Sequence, residues 1–137
     1  MHKQTLAENT ERVLKKIAES GISEGFYLAG GTALALELGH RKSEDLDWFS
    51  AKPFSNDQIK KKLSDLGEFE LTSEEYGYEM LYPFVDFENT NLADERDIAA
   101  MKIDAMSSRG SRKDFVDIYF LLKKYPVVDL IGFFEQK

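Results

Sequence analysis

The sequence contains little proline and no cysteine, and the absence of cysteine limits its chemistry before any motif is considered. Its 137 residues include no Cys and three Pro. Disulfide bonds, thiolate metal ligands and a cysteine nucleophile are therefore excluded, and the composition fits a reducing cytoplasm. No segment reaches the ~18 consecutive apolar residues of a transmembrane helix, and the polar N-terminal segment lacks a signal-peptide pattern. We therefore expect a cytoplasmic protein with no membrane association.

Basic residues are outnumbered by acidic ones. The chain has 18 Lys and Arg against 25 Asp and Glu, which gives a net charge of −7. Broad, nonspecific nucleic-acid binding depends on neutralising phosphates with Lys and Arg, so this balance argues against it. A nucleotide held through a metal ion remains compatible with the charge. The length and the 42% hydrophobic content are those of a single globular domain.

The stretch from Phe26 to Ser50 places a strand, a glycine pair, a helix and two aspartates in immediate succession. The four residues before Gly30-Gly31 are apolar or aromatic, which favours a buried strand that the glycines end. Thr32 is expected to cap a short helix that stops at Gly39. Such a turn offers free backbone N–H groups and the positive end of a helix dipole to a phosphate. The alternative is a tight turn that only lets the helix pack on the strand.

Asp45 and Asp47 follow that helix with one residue between them. In a strand, residues i and i+2 share a face, so the two carboxylates would lie side by side while Leu46 and Trp48 point to the core. Their Cα atoms would be roughly 6.6 Å apart. This spacing of oxygen ligands suits Mg²⁺ or Mn²⁺, and without metal their repulsion should raise one pKa. A solvated strand face is the alternative.

Helical spacing of apolar residues predicts the remaining framework. Helices are expected over residues 5–20, 56–66, 112–124 and 127–134. A further helix is expected to begin at either Asp94 or Asp97 and to run to about residue 109. Alternating runs at 68–72 and 78–82 predict an antiparallel hairpin. The buried face of the 112–124 helix is expected to consist of Phe115, Ile118, Tyr119 and Leu122.

These elements predict an α/β fold, with a small mixed sheet, helices packed over it and a C-terminal helical portion. No linker, repeat or low-complexity segment divides the chain. We therefore expect one domain over residues 1–137. Its sheet-containing core would extend to about residue 92 and its helical portion from about 93 to 137.

Lys102 lies within the expected buried stripe of its helix, which comprises Ile98, Met101, Ala105 and Arg109. A lysine in such a stripe needs a partner for its ammonium, either a ligand phosphate or a carboxylate, unless it extends to solvent. Asp114 and Asp117 are neighbours on the next helix. Each could belong to the same site, or they could cap that helix and pair with nearby basic residues.

These motifs in combination resemble a known superfamily. Gly-Gly-Thr at 30–32, a helix, and Arg-x-Ser-x-Asp-Leu-Asp at 41–47 resemble the nucleotidyltransferases with a polymerase-beta type of active site. The similarity is greatest to the AbiEii/AbiGii toxin branch, and the segments 97–102 and 109–117 extend it. Together these blocks cover roughly half of the chain.

The resemblance implies metal-dependent transfer of a nucleoside monophosphate from an NTP to an acceptor hydroxyl. It further implies a toxin-like role, with tRNA as a candidate acceptor and an antitoxin protein as a candidate partner. The implied metal ligands are Asp45 and Asp47, with Mg²⁺ or Mn²⁺ as the cofactor. The implied nucleotide-binding residues are Gly30, Gly31, Thr32, Arg41, Ser43 and Lys102.

The remaining implied catalytic residues are carboxylates that would orient or deprotonate the acceptor. Asp114 and Asp117 match the acidic position of the last block, and Glu79 or Asp86 would supply a third metal-site acid. Two other functions remain as alternatives. The chain could be a nucleotide-binding module that has lost catalysis, or an acidic subunit that binds a basic partner.

Overall fold

The protein combines a mixed β-sheet with helices on its faces, and this confirms the predicted α/β class. The computed structural model describes residues 1–66 and 79–137. The helices are α1 (Glu8–Ser20), α2 (Gly30–Leu38), α3 (Asn56–Ser64), α4 (Glu95–Ser108), α5 (Arg112–Lys124) and α6 (Val127–Glu135). The strands are β1 (Tyr27–Ala29), β2 (Asp47–Phe49), β3 (Val85–Phe87) and β4 (Thr90–Leu92). Within the described ranges, no helix combines the length and hydropathy required to cross a bilayer.

Strand β1 and helix α2 form the buried centre of the described structure. The strand order is β2-β1-β4-β3, in which β1 is antiparallel to β2 and parallel to β4. All three residues of β1 are at most 2% exposed, and residues 33–36 of α2 are completely buried. Because β1 runs directly into α2, the turn between them is fixed from both sides.

Several predicted helix boundaries are confirmed by their capping residues. Ser55 caps α3 by accepting a hydrogen bond from the Gln58 N–H, and Asp94 caps α4 in the same way. Gly21 and Gly39 end α1 and α2 in the left-handed conformation.

Two helix starts differ from the predictions. Residues 3–5 form a separate 3₁₀ turn, so α1 begins at Glu8 instead of Thr5. The expectation that Thr32 caps α2 is wrong, because α2 begins at Gly30 and has no side-chain cap. Within the described residues, the backbone N–H groups of its first turn therefore receive no side-chain cap.

Strands β3 and β4 form a hairpin that the sequence analysis did not predict. Its two turn residues, Glu88 and Asn89, have φ angles of 50° and 64°. Positive φ at both central positions is the requirement of a type I′ hairpin turn. Of the predicted hairpin, residues 68–72 lie outside the described residues, and residues 79–82 form no strand. Two N–H groups of the latter segment donate instead to the buried Asp97 carboxylate, each at 3.0 Å.

Helix α5 has the predicted bounds, but the prediction of its buried face is wrong. Phe115 and Tyr119 are each 56% exposed and Leu122 is 43% exposed, while Ile118 is only half-buried. The buried residues are Asp114, Asp117 and Leu121. The helix turns its acidic side inward because cations from other elements pair with the two aspartates. Buried ion pairing therefore outweighs the apolar periodicity.

Helix α6 has the predicted position and packs mainly on α4. Leu130 is its buried residue, and the Phe133 ring contacts the rings of Tyr82 and Tyr125 edge-on. Val127 and Val128 on its outer side remain 61% and 67% exposed. The helix therefore closes the core with one face only.

A pair of carboxylates joins α2 to the start of α4. The Glu37 carboxylate accepts a hydrogen bond from the Glu95 N–H at 3.2 Å. Glu95 in turn accepts hydrogen bonds from the Lys124 ammonium and the Tyr125 hydroxyl. Burial, followed by the negative charges of Glu95 and Asp94, raises the pKa of Glu37 to about 8.

Glu37→Gln should remove a pH dependence of the free energy of unfolding. The folded state holds a proton on Glu37 between its unfolded pKa of 4.5 and about 8, so stability falls as pH rises through this window. We expect the wild type to lose on the order of 2–4 kcal/mol relative to the variant across that range. Urea unfolding at several pH values measures the difference. Glu24→Gln, at an exposed position, serves as the control, and equal pH profiles for Glu37→Gln and wild type would contradict the prediction.

Candidate functional site

Asp45 and Asp47 lie at the edge of the sheet that adjoins the glycine turn. Asp47 is the first residue of β2 and pairs with Ala29, the last residue of β1. Both aspartates are exposed, whereas Leu46 and Trp48 are half-buried against the core. The two carboxylates therefore occupy the outer side of the segment, as the two-residue periodicity of a strand predicts.

The glycine turn places the backbone against the Asp47 carboxylate. Gly30 has a φ of +66°, and a Cβ added there would lie 2.4 Å from Asp47 Oδ2. An alanine would therefore be strained by its backbone conformation and would displace the carboxylate. The close approach also brings Asp47 next to the uncapped N-terminus of α2.

Gly31 provides space for the guanidinium group of Arg41. A Cβ at Gly31 would lie 2.2 Å from Arg41 Nη2. That group cannot move freely, because its Nε and Nη2 atoms donate to the two oxygens of Asp117 at 2.7 and 3.1 Å. Bidentate contacts of this kind fix the plane of the guanidinium.

Gly31→Ala should therefore displace Arg41 from Asp117. We expect the free energy of unfolding to fall by about 1–3 kcal/mol, as for other overpacked sites. We expect the affinity for NTP to fall by more than this loss of stability, because Arg41 and the α2 N-terminus move together. Thermal unfolding and nucleotide titration measure the two effects.

Gly132→Ala on α6 is the matched control, because a Cβ there meets no atom within 4 Å. It should stabilise the helix by roughly 0.5–1 kcal/mol and leave nucleotide binding unchanged. If Gly31→Ala destabilises the fold but retains normal NTP affinity, the glycine is required for packing only.

Asp117 is the centre of a buried ionic network. Its carboxylate is fully buried and contacts His40 Nε2 at 2.7 Å, the Arg41 guanidinium, and Lys102 Nζ at 2.9 Å. Burial alone would raise the pKa of Asp117. The hydrogen bonds from His40, Arg41 and Lys102 outweigh it and hold that pKa well below its ordinary value. Asp117 therefore remains ionised and joins α5 to α4 and to the loop after α2.

Lys102 lies between the two aspartates of α5. Its ammonium is 2.7 Å from Asp114 Oδ1, and the residue is 9% exposed. Asp114 also forms a capping box with Ser111, in which its carboxylate accepts the Ser111 N–H and hydroxyl. Burial opposes ionisation of Asp114, but the hydrogen bonds from Lys102 and Ser111 lower its pKa. The capping of α5 thus positions the carboxylate that holds Lys102.

The exposed aspartates experience a different electrostatic environment. Partial burial, followed by the negative charge of Asp45, raises the pKa of Asp47, while Lys102, Arg109 and Lys113 oppose that increase. Lys113 Nζ lies 3.3 Å from Asp45 Oδ2 on the surface. The repulsion between adjacent carboxylates agrees with the expectation from sequence and favours the binding of a cation there.

Thr32 and Ser43 are buried, at 1% and 7% exposure. Their hydroxyls lie 2.8 Å apart, and the Thr32 hydroxyl also bonds to the Asp45 carbonyl. The backbone of Ser43 is fixed by its N–H donating to Thr5 at 2.9 Å. These contacts hold the loop that carries Asp45, so the hydroxyls act within the protein and give no support for direct phosphate contact.

The third acid expected from sequence is not brought to Asp45 and Asp47 by the described contacts. Glu79 is exposed, and its carbonyl accepts a hydrogen bond from Lys137 at 3.0 Å. Asp86 lies on β3, at the opposite edge of the sheet from β2. Among the residues that the structure describes, no group of three or more His, Cys, Asp or Glu side chains is arranged to hold a metal.

Two residues of the site were missed by the sequence analysis. His40 has a side chain that is only 1% exposed, and it bonds to Asp117 across 77 positions of sequence. The sequence did offer one signal for His40, because this residue lies between Gly39, which ends α2, and Arg41. Lys113 is one of the basic residues near Asp114 and Asp117 in sequence, but it pairs with Asp45.

The assembled site has an exposed part and a buried part. The exposed part consists of two adjacent carboxylates beside uncapped helix N–H groups, an arrangement that can bind a metal ion and a polyphosphate. The buried part consists of Arg41 and Lys102, which are held by Asp114 and Asp117. Positioned charges of both signs are what phosphoryl transfer requires of a protein.

Comparison with known proteins also points to a nucleotidyl transferase. The family described as the nucleotidyl transferase AbiEii toxin of a type IV toxin–antitoxin system matches residues 12–79. A protein of Aquifex aeolicus (strain VF5), the uncharacterized protein aq_aa25, is 35% identical over 141 residues, which cover 88% of this chain and 68% of that protein. No solved structure matches the chain.

Proposed function

This chain belongs to the AbiEii family of nucleotidyl transferase toxins, and from this premise we propose that it transfers a nucleoside monophosphate from an NTP to an acceptor hydroxyl. Pyrophosphate is the second product. The observation that carries the proposal is the contact of the Asp47 carboxylate with Gly30, at the turn into α2, beside Asp45. We treat residues 1–137 as one nucleotidyltransferase-like unit.

The triphosphate binds at the start of α2. Among the residues that the structure describes, none caps the first turn of this helix through its side chain, and Gly30 and Gly31 leave that turn without Cβ atoms. N–H groups and the helix dipole at such a terminus attract phosphate oxygens. Arg41 adds a fixed positive charge against Gly31.

The donor set of Asp45 and Asp47 fits Mg²⁺ or Mn²⁺. Mg²⁺ is usually held by one or two carboxylates together with substrate phosphates and water, and both side chains are accessible to solvent. A bound ion would neutralise charge on the triphosphate and orient it for displacement. Burial and then repulsion from Asp45 raise the pKa of Asp47, and a cation bound between the two carboxylates would relieve the repulsion.

Lys102 and Arg41 stabilise negative charge from the buried side of the site. In the described ranges, Lys102 contacts Asp114 and Asp117 with two of its three N–H donors, and the third is proposed to donate to a phosphate oxygen. The low pKa values of Asp114 and Asp117 make them inefficient general bases near neutral pH. Their role in this proposal is to position the two cations, while Glu79 remains the candidate that could act on the acceptor.

The acceptor proposed here is RNA, with tRNA as the first candidate, and the biological setting is a toxin with an antitoxin partner. The test is incubation of the full chain with each labelled NTP, Mg²⁺ and total tRNA. We expect label on RNA or on protein, abolished by EDTA. Binding of NTP without transfer would favour the alternative of a module that has lost catalysis, consistent with the two-carboxylate set of the described residues. Absence of both would overturn the proposal and favour the acidic interaction subunit.

A further inference from the structure

The outer face of α5 combines exposed aromatic rings with positive charge. At 100° per residue, Arg112, Phe115, Tyr119, Leu122 and Lys123 share one side of the helix, opposite the buried aspartates. Phe115 and Tyr119 are each 56% exposed, although aromatic side chains of this size are usually buried. We call these five residues the α5 stripe.

The surface around the α5 stripe is basic in an otherwise acidic chain. Residues 109–124 contain five basic and two acidic side chains, whereas the whole chain has a net charge of −7. The two acidic residues, Asp114 and Asp117, are buried and paired inside the protein. All five basic residues are exposed. Lys113 pairs with Asp45 and Lys124 pairs with Glu95, so the excess positive charge of this face comes from Arg109, Arg112 and Lys123.

The rings and the cations are in contact with one another. Lys123 Nζ lies 4.6 Å from the centre of the Tyr119 ring and 4.7 Å from that of Phe120. The Phe115 ring lies against Gly110 at the start of the helix. Aromatic faces placed beside Lys and Arg are the surface that single-stranded nucleic acids use, because bases stack on rings while phosphates meet the cations.

The α5 stripe is continuous with the proposed active site. Lys113, next to Arg112, is 3.3 Å from Asp45, and Arg109 is close enough to Asp47 to affect its pKa. A strand that lies along the stripe toward the N-terminus of α5 would therefore end at the two carboxylates.

We infer that the α5 stripe binds the single-stranded end of the nucleic-acid acceptor. Bases stack on Phe115 and Tyr119, and Arg112 and Lys123 contact the flanking phosphates. The inference rests on the proposed function for the identity of the bound strand as the acceptor. A protein partner is less well matched, because the stripe places two cations among its three apolar side chains, whereas charged residues are depleted at the core of protein interfaces.

The test measures binding of a labelled single-stranded RNA of roughly 12 nucleotides, a length within the range of known single-strand sites. Fluorescence anisotropy is recorded with the full chain in EDTA and without NTP, so that neither metal binding nor transfer contributes. Phe115→Ala and Tyr119→Ala should each weaken binding by about 5- to 100-fold. Tyr119→Phe keeps the ring and should bind normally. Arg112→Gln and Lys123→Gln should each reduce the salt dependence by about 0.7 in log–log slope.

Two controls separate the α5 stripe from other exposed surfaces. Ile131→Ala removes an apolar side chain that is 47% exposed on α6, and Lys61→Gln removes an exposed charge on α3. Both should bind RNA as the wild type does, and the melting temperature of every variant should stay near that of the wild type.

Unchanged RNA affinity in the Phe115→Ala/Tyr119→Ala double variant would overturn the inference. So would the absence of RNA binding by the wild type, even if the protein binds NTP and Mg²⁺ normally and the proposed function survives. Conversely, RNA binding that requires the Phe115 and Tyr119 rings, without any nucleotidyl transfer, would support the α5 stripe as an RNA-binding surface and contradict the proposed catalysis. A double variant that instead loses self-association, measured by sedimentation, would reassign the α5 stripe to a contact between copies of the chain.

Discussion

Replacing Asp45 and Asp47 together by alanine should lower the rate of nucleotidyl transfer by about 10³-fold or more. Metal-assisted charge stabilisation contributes several kcal/mol to such reactions, and each 1.4 kcal/mol changes the rate about tenfold. Both side chains are exposed, and each raises the energy of the other through repulsion. Their removal should therefore leave the free energy of unfolding within about 0.5 kcal/mol of the wild type.

Isothermal titration with Mg²⁺ or Mn²⁺ in the presence of an NTP tests the same pair without catalysis. We expect the metal-dependent heat to disappear in the double variant and each single variant to bind more weakly. Asp86→Ala is the matched control, because it removes an exposed carboxylate from β3 at the other edge of the same sheet. Unaltered metal binding by the double variant would exclude Asp45 and Asp47 as the ligands.

The exposed part of the site could be predicted from the sequence because its geometry is local. Strand alternation alone places Asp45 and Asp47 on one side, and the structure confirms that Leu46 and Trp48 take the other. The glycine pair at the end of β1 indicates a turn with special backbone geometry. The positive φ of Gly30 and its contact with Asp47 agree with that interpretation.

The buried part could not be predicted in the same way because its partners are distant in sequence. Arg41 and His40 contact Asp117 across 76 and 77 positions. The apolar periodicity of α5 predicted that the face with Phe, Tyr and Leu is buried, whereas the opposite face is buried in the structure. The pattern failed because it carries no information about cations on other elements. In this helix the pairing of Asp114 and Asp117 fixes the rotation.

The β3–β4 hairpin shows a different limit of sequence patterns. Each strand has three residues, which is too short for alternation to be recognised. Asn89 is a common residue at positive φ, but Glu88 is not, so the turn lacks the usual Asn-Gly or Asp-Gly signal. Tertiary contacts, including the pairing of β4 with β1, determine this hairpin.

Lys102→Met should reduce both stability and function. The variant keeps the apolar stem but leaves Asp114 and Asp117 facing each other without their shared cation. Removing one partner of a buried ion pair costs about 3–5 kcal/mol. Loss of a charge-assisted contact to phosphate should add about 1.5–3 kcal/mol to NTP binding or to the transfer barrier. Urea unfolding and single-turnover transfer measure the two losses separately.

Acid unfolding tests the pairing of Lys102 with Asp114 and Asp117 independently. In the wild type the pKa values of Asp114 and Asp117 lie below 3.8, so their contribution is present at neutral pH and is lost as pH falls below about 4. Lys102→Met should raise the pKa of Asp114, because burial is then opposed mainly by the Ser111 hydrogen bonds. It should raise the pKa of Asp117 less, because the hydrogen bonds from His40 and Arg41 remain. The variant should therefore lose less stability on acidification than the wild type.

The double variant Lys102→Met/Asp114→Asn separates the structural role of Lys102 from its role in catalysis. Asn at position 114 can still accept the hydrogen bonds of the Ser111 cap, and only Asp117 then remains charged, held by Arg41. Stability should recover by about 1–3 kcal/mol relative to Lys102→Met, because one uncompensated buried charge is removed. Transfer should not recover, since the ammonium proposed to contact the phosphates is still missing. Recovery of transfer together with stability would show that Lys102 serves the fold alone and would remove it from the proposed nucleotide-binding set.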